Sequence, residues 1–198
     1  MRYPTPLIQL IAHLKKLPGV GSKSAERFAF QLLSWPENDL KIFAETLSTL
    51  KEKIHHCPEC HCLMEGADCH FCNPDKRDRA FLCLISSPKD AYVLEETRTY
   101  RGFYHVLGGL LSPLDGRTPQ HLDLIQLKNR IAALQTREII LALDSTIEGD
   151  ATSFYLKEEL APLGLKVSRL AFGLPMGSPL EYVDGGTLSR AFTGRQLF

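Results

Sequence analysis

The sequence predicts an α+β protein built in several parts, and three observations carry that expectation. Apolar residues recur at helical spacing from the N-terminus to about residue 54. Two Cys-x-x-Cys pairs follow, Cys57 with Cys60 and Cys69 with Cys72, eight residues apart. From Phe81 onward, short apolar runs alternate with helical segments, the order of a mostly parallel sheet covered on both faces. An extended arm and a short terminal helix end the chain.

At 198 residues and 44% hydrophobic content the chain suits one or two domains with a real core. It has no apolar run long enough to span a bilayer, so no membrane association is expected. His13, Lys15 and Lys16 interrupt the first apolar face, which argues against a secretory signal and for a cytoplasmic protein with reduced thiols. Net charge is zero, but its distribution is uneven. Residues 1–35 carry five basic side chains and one acidic, residues 36–80 six against nine, and the remainder twelve against thirteen. A polyanion should meet the N-terminal end first.

Leu7, Leu10, Ile11, Leu14 and Leu17 predict a helix over about residues 5–16, ended by Pro18. Gly19-Val20-Gly21 follows, with Ser22 as the expected N-cap of a second helix running to about Leu33 and burying Ala25, Phe28, Ala29 and Leu32. This is a helix–hairpin–helix signature. Gly19 and Gly21 permit a tight turn and let a phosphate approach bare N–H groups at a helix start. Lys23 and Arg27 lie one turn apart with Ser24 beside them, so these five residues are the expected DNA-backbone contacts. The plainer alternative is a tight helix pair with solvated charges. After Trp35-Pro36, the stripe Leu40, Phe43, Leu47, Leu50 and Ile54 predicts a third helix with a core or helix–helix seam.

The spacing of Cys57, Cys60, Cys69 and Cys72 suits one tetrahedral ion held by sulfurs at about 2.3 Å, a closed structural Zn²⁺ site with no open position for chemistry. A redox Cys-x-x-Cys or a disulfide knot is the competing reading, and Cys62, His61 and His70 are possible substitute ligands. Lys76-Arg77-Asp78-Arg79 reads as a solvated linker.

The run Phe81 to Ile85 predicts a strand buried on both faces, with Cys83 as a core thiol. Further strands are expected at Tyr104–Leu107, Glu138–Leu143 and Leu165–Phe172, with helices at about 88–94, 120–134 and 150–161. Asp144 falls at the carboxyl end of its strand, with Glu148 and Asp150 just beyond. The run Leu180 to Asp184 has the look of an apolar strand ending in a carboxylate, and a last helix begins near Thr187. No Gly-x-x-x-x-Gly-Lys-Ser/Thr loop accompanies it, which argues against nucleotide binding.

The order of these parts resembles the RecR family of bacterial recombination mediators over essentially the whole chain. Leu17 to Gly21, Cys57 to Cys72, Tyr100 to Gly109, Ser112 to Gly116, Glu148 to Thr152 and Gly173 to Gly177 carry the resemblance. It implies four parts: a helix–hairpin–helix domain over 1–55, a Cys₄ zinc finger over 56–79, a Toprim-like α/β domain over 80–173, and an oligomerising arm and helix over 174–198. It also implies a homo-oligomer, in the form of a tetrameric ring. Such a ring would bind single-stranded and duplex DNA with little sequence preference and work with RecO and RecF to load recombinase onto gapped DNA. Asp144, Glu148 and Asp150 form the expected acidic surface for a basic partner such as RecO. Toprim enzymes instead hold Mg²⁺ with a Glu at the first strand end and an Asp-x-Asp later. Here those places hold Ser86 and Asp144-Ser145-Thr146, so a non-catalytic mediator is expected over a Mg²⁺-dependent DNA-processing enzyme.

Overall fold

The structure is a computed structural model that describes residues 3–171 and 173–195. It divides into two compact units, one ending at Lys53 and the other beginning at Ile54.

The first unit contains α1 (Thr5–Leu14), α2 (Ser22–Leu33) and α3 (Glu37–Lys53). Leu7, Ala25 and Ala29 are its buried side chains, and the two alanines let α1 and α2 approach closely. Two consecutive turns, Leu17 N–H to the Leu14 carbonyl and Val20 N–H to the Leu17 carbonyl, both 3.1 Å, bring the chain out of α1. Gly19 then takes φ 78°, which a side chain would resist. The N-cap of α2 is Gly21, at φ −79° and ψ 175°, and Ser22 is the first helical residue rather than the cap. Phe28, expected inside, is exposed. In α3 no residue is buried, and Phe43, Leu47 and Leu50 stand open to solvent.

The second unit begins with an antiparallel ribbon, β1 (Ile54–His56) and β2 (Leu63–Glu65), around the cysteine segment. Then come β3 (Asp78–Ile85), α4 (Pro88–Glu96), β4 (Gly102–Val106), α5 (Leu124–Leu134), β5 (Glu138–Ala142), α6 (Ile147–Leu160), β6 (Lys166–Arg169) and α7 (Gly185–Thr193). The four later strands form a parallel sheet in the order β4-β3-β5-β6, with Cys83 opposite Tyr104 on one side and Ile140 on the other.

Alternation along the strands sorts the core into two layers. Leu82, Leu84, Ile139 and Leu141 pack with Leu127 and Ile131 of α5 and with Leu156 and Leu160 of α6. Cys83, Ile85, Tyr104 and Val106 face the other way, against Ala91 of α4 and against Cys57, Cys60, Cys62 and Phe71. The cysteine segment is therefore one wall of the sheet's core. It also covers the edge strand, because the Val106 N–H donates to the Cys60 carbonyl at 2.9 Å.

Three local expectations change. Ile54 lies in β1 and not on the third helix. Arg77 is buried, its guanidinium stacked 5.3 Å from the Phe71 and Tyr104 ring centres and donating to Glu95 at 2.9 Å, while Asp78 and Arg79 open β3; the tract is no solvated linker. Leu180–Tyr182 is a single 3-10 turn, and Asp184 caps α7 by accepting from the Thr187 N–H at 2.9 Å. An Asp three residues before a Thr satisfies a helix start locally, without a sheet edge to pair with. Phe172, the expected end of the last strand, lies outside the described residues.

Candidate metal centre and nucleic-acid interface

The Sγ atoms of Cys57, Cys60, Cys69 and Cys72 all lie within 4.8 Å of one another. Cys57 and Cys72 approach to 3.8 Å and Cys60 and Cys69 to 3.6 Å. Four sulfurs about 2.3 Å from a central ion would stand roughly 3.8 Å apart in a tetrahedron, so the donor set fits a metal. The local chain explains the convergence. His61 takes φ 61°, which folds the segment back so that the Cys57 N–H reaches the Cys62 carbonyl at 2.8 Å. The Cys62 N–H then points at Cys60 Sγ, 3.4 Å away, a contact that favours a thiolate. Cys62 itself is buried but outside the cluster, and His61 and His70 do not join it. All six cysteines are free thiols, which removes the disulfide reading.

Without a cation, this crowding disfavours thiolates. Burial, then the neighbouring Cys72, pushes the Cys69 thiol up to about 11, and the hydrogen bond to Cys60 followed by burial pushes Cys72 up further. Arg130 acts against the rise at Cys72. Its guanidinium, 6% exposed, donates to Cys72 Sγ at 3.2 Å, to Glu59 Oε2 at 3.3 Å and to the Tyr104 carbonyl at 3.5 Å. It joins the sulfur cluster to both α5 and the sheet edge. The sequence reading missed it, although a signal existed: Arg130 lies three residues after Leu127, on the buried face of α5. Replacing Arg130 with Met should weaken metal retention against a chelator about 10- to 100-fold, the usual effect of losing a group that supports a ligand, with partial recovery in Arg130→Lys. Equal retention in parent and Arg130→Met would show that this cation is uninvolved.

In the first unit, the hairpin brings together all five residues singled out from the sequence. Gly19 and Gly21 have nothing within 4 Å of where a Cβ would stand, so the backbone there is open. No side chain caps α2, and the N–H groups of Ser22, Lys23 and Ser24 have no partner among the described residues. Lys23 and Arg27 are exposed and free of ion pairs there, with the Arg27 guanidinium 5.5 Å from the Phe28 ring centre. Bare donors at the positive end of a helix, flanked by two unpaired cations, form a surface for phosphate.

The three carboxylates separate into different environments. Asp150 is no free acidic group: Arg169 donates to it at 2.6 Å and Arg190 of α7 at 2.9 Å, and these bonds hold its carboxyl below the usual range. Arg190 also donates to Ser145 at 2.9 Å. Asp144 and Glu148 make no ion pair among the described residues. Gly149 sits against the Asp144 carbonyl, where a Cβ would stand 1.9 Å away, so the start of α6 is pressed onto the end of β5. Ser86 donates to Asp90 at 2.9 Å, and Asp90 is consumed in capping α4. Among the described residues the four cysteines are the group whose donor atoms converge for a metal; these carboxylates do not.

A helix–hairpin–helix unit followed by a parallel sheet with a four-thiol wall defines a class of nucleic-acid-associated proteins. Residues 7–51 match the family described as "RecR, helix-hairpin-helix", residues 80–171 the Toprim domain and residues 173–196 "RecR, C-terminal". The chain is 56% identical to the recombination protein RecR of Protochlamydia amoebophila over the full length of both. It is 49% identical to that of Chlamydia pneumoniae, covering 100% and 99% of the two chains, and 46% identical to that of Synechococcus elongatus, covering 98% and 97%. The chain belongs to the RecR family.

Proposed function

We propose that the chain is a non-catalytic DNA-binding mediator of recombinational repair, carrying one structural Zn²⁺ and acting as a tetrameric ring. It works in the cytoplasm with RecO and RecF, helping to load recombinase onto gapped or single-stranded DNA. The observation that carries this reading is the open hairpin, with Lys23 and Arg27 beside the uncapped start of α2 in a RecR-type helical unit. Zn²⁺ is the ion that a closed set of four thiols favours. Absence of catalysis is supported by Ser86 at the end of β3 and by the dispersal of Asp144, Glu148 and Asp150. No helix among the described residues is long and apolar enough to cross a membrane. Incubation with supercoiled plasmid and Mg²⁺ tests the point: the protein should bind the plasmid without nicking or relaxing it, and topoisomer change abolished by Asp144→Asn would establish the enzyme reading instead.

Apolar side chains exposed among the described residues support the assembly. The α3 stripe is exposed, and so is Phe192 of α7, at 72%. Contiguous exposed apolar surface marks interaction sites in soluble proteins, and a ring would multiply the few phosphate contacts of one hairpin through effective concentration. The terminal side chains Leu197 and Phe198, also expected in the interface, lie outside the described residues. Deleting residues 187–198 should lower the mass in light scattering and the DNA affinity together while zinc stays bound. A truncated protein of undiminished size and affinity would remove α7 from the interface. Asp144 and Glu148 are the acidic groups left for a basic partner.

A further inference from the structure

We propose that a cleft on the second unit is a separate binding groove for single-stranded nucleic acid, with phosphates on Lys76, Arg98 and Arg101 and a base against Phe81. Two adjoining hollows form it. The first, about 510 Å³, is lined by Lys76, Arg98 and Arg101 beside the Arg77–Glu95 pair. The second, about 340 Å³, is lined by Phe81, Ile140 and Asp78, and the two share Tyr100 and Arg101.

The charges in the first hollow do not cancel. Arg77 and Glu95 neutralise each other at 2.9 Å, and the Tyr104 hydroxyl donates to the same carboxylate at 2.8 Å. Burial alone would raise Glu95, yet those two donors hold it below its usual range, so it stays an anion bound to its own cation. Lys76, Arg98 and Arg101 pair with no carboxylate among the described residues. Asp75 and Asp78 are the other acidic groups of the cleft, and the Asp78 carboxylate is occupied by the Ala80 N–H at 2.8 Å. A backbone hydrogen bond leaves the Asp78 charge in place, so three cations without an ion-pair partner face two carboxylates and the cleft keeps a small net positive charge.

The loop that presents them is held still. Arg98 takes φ 56° just after α4, Thr97 and Thr99 join through their hydroxyls at 2.8 Å, and the Tyr100 hydroxyl donates to the Phe103 carbonyl at 2.8 Å. The Asp78 N–H donates to the Arg101 carbonyl at 2.8 Å. Next to these cations Phe81 of β3, in the centre of the sheet, is 37% exposed. An aromatic face beside a row of unpaired cations accepts any base by stacking while the cations take the phosphates. A base within a duplex is already stacked on its neighbours and cannot offer its face to Phe81, which favours single strands, and an acidic peptide supplies charge but no base to stack there.

This inference rests on the DNA-binding reading of the chain but not on the hairpin. The full-length zinc protein is titrated with labelled oligo(dT), an abasic strand of equal length and a blunt duplex. Arg98→Glu with Arg101→Glu should weaken oligo(dT) about tenfold and flatten its salt dependence by about 1.4 units of slope, leaving the duplex unchanged. Phe81→Ser should weaken oligo(dT) roughly five- to 150-fold and leave the abasic strand unchanged. Zinc content and melting temperature report folding, and Arg98→Gln with Arg101→Gln replaces the charge reversal if that variant is unstable. Unchanged oligo(dT) binding, equal losses on duplex, or equal loss on the abasic strand in Phe81→Ser would overturn the assignment, as would poly-glutamate competing as well as oligo(dT). The hairpin variant Lys23→Glu with Arg27→Glu separates the readings: if it alone keeps parental binding, the hairpin assignment fails while the cleft stands.

Discussion

Cys57→Ser or Cys72→Ser is expected to release the metal and unfold the cysteine segment, and one face of the sheet should loosen with it. Metal binding in small four-ligand sites contributes about 10–16 kcal/mol at neutral pH, which matches or exceeds the roughly 5–15 kcal/mol that holds a whole domain folded. Here the loss is not confined to a loop. Cys57, Cys60, Cys62 and Phe71 share a core layer with Ile85, Tyr104 and Val106, and Phe71 meets Tyr104 edge to face at 5.6 Å. Metal analysis should show about one ion per parent chain and less than a tenth of that in either variant, with a broadened, lowered thermal transition. Cys62→Ala and Cys83→Ala are the controls. Both remove a buried thiol from the same layer, so both should cost stability while keeping the metal. Burial pushes Cys83 up to about 12, so it remains a neutral core thiol. Unchanged metal in Cys57→Ser would end the assignment. Acid acts in the same direction as these substitutions. Without metal the Cys60, Cys69 and Cys72 thiols sit above their ordinary range, Cys69 near 11, so binding must displace protons, and retention should rise with pH and fail on acidification.

Lys23→Glu with Arg27→Glu should weaken DNA binding at least about tenfold on both single strands and duplex, with little dependence on sequence. Two lost phosphate contacts should flatten the duplex salt dependence by about 1.8 units of slope. The fold has little to lose, because both side chains are exposed and free of ion pairs among the described residues; Arg27 gives up at most a solvent-exposed stacking contact worth about 0.5–1 kcal/mol. Melting temperature and zinc content should therefore match the parent. Parental affinity at physiological salt would show that the hairpin is not the contact surface.

Local chemistry made part of this molecule legible in its sequence. The four converging thiols are separated by short spacers, and a spacer of two residues leaves few ways to place two sulfurs. The hairpin is similar, since Pro18 and Gly19 act on their own backbone angles. Alternation of apolar runs gave the parallel sheet, because burial on both faces demands continuous Val, Ile and Leu. What went astray was the reading of single residues with two competing local roles. Asp184 looked like a strand-end carboxylate and is a helix cap, because Thr187 lies within its reach. Arg77 looked solvated and is buried, because Glu95, Phe71 and Tyr104 arrive from elsewhere in the chain.

By itself the sequence determined the thiol set, the hairpin with its two cations, and the alternation of strands and helices, since each depends on bond geometry and spacing within a few residues. Only the tertiary structure decided that the cysteine segment forms a wall of the sheet's core, that Arg130 reaches a sulfur 58 residues away, and that Asp150 is claimed by Arg169 and Arg190. Those contacts depend on which strand neighbours which and on which face of α5 turns inward. Both are settled by the packing of the whole core, and no local spacing encodes them.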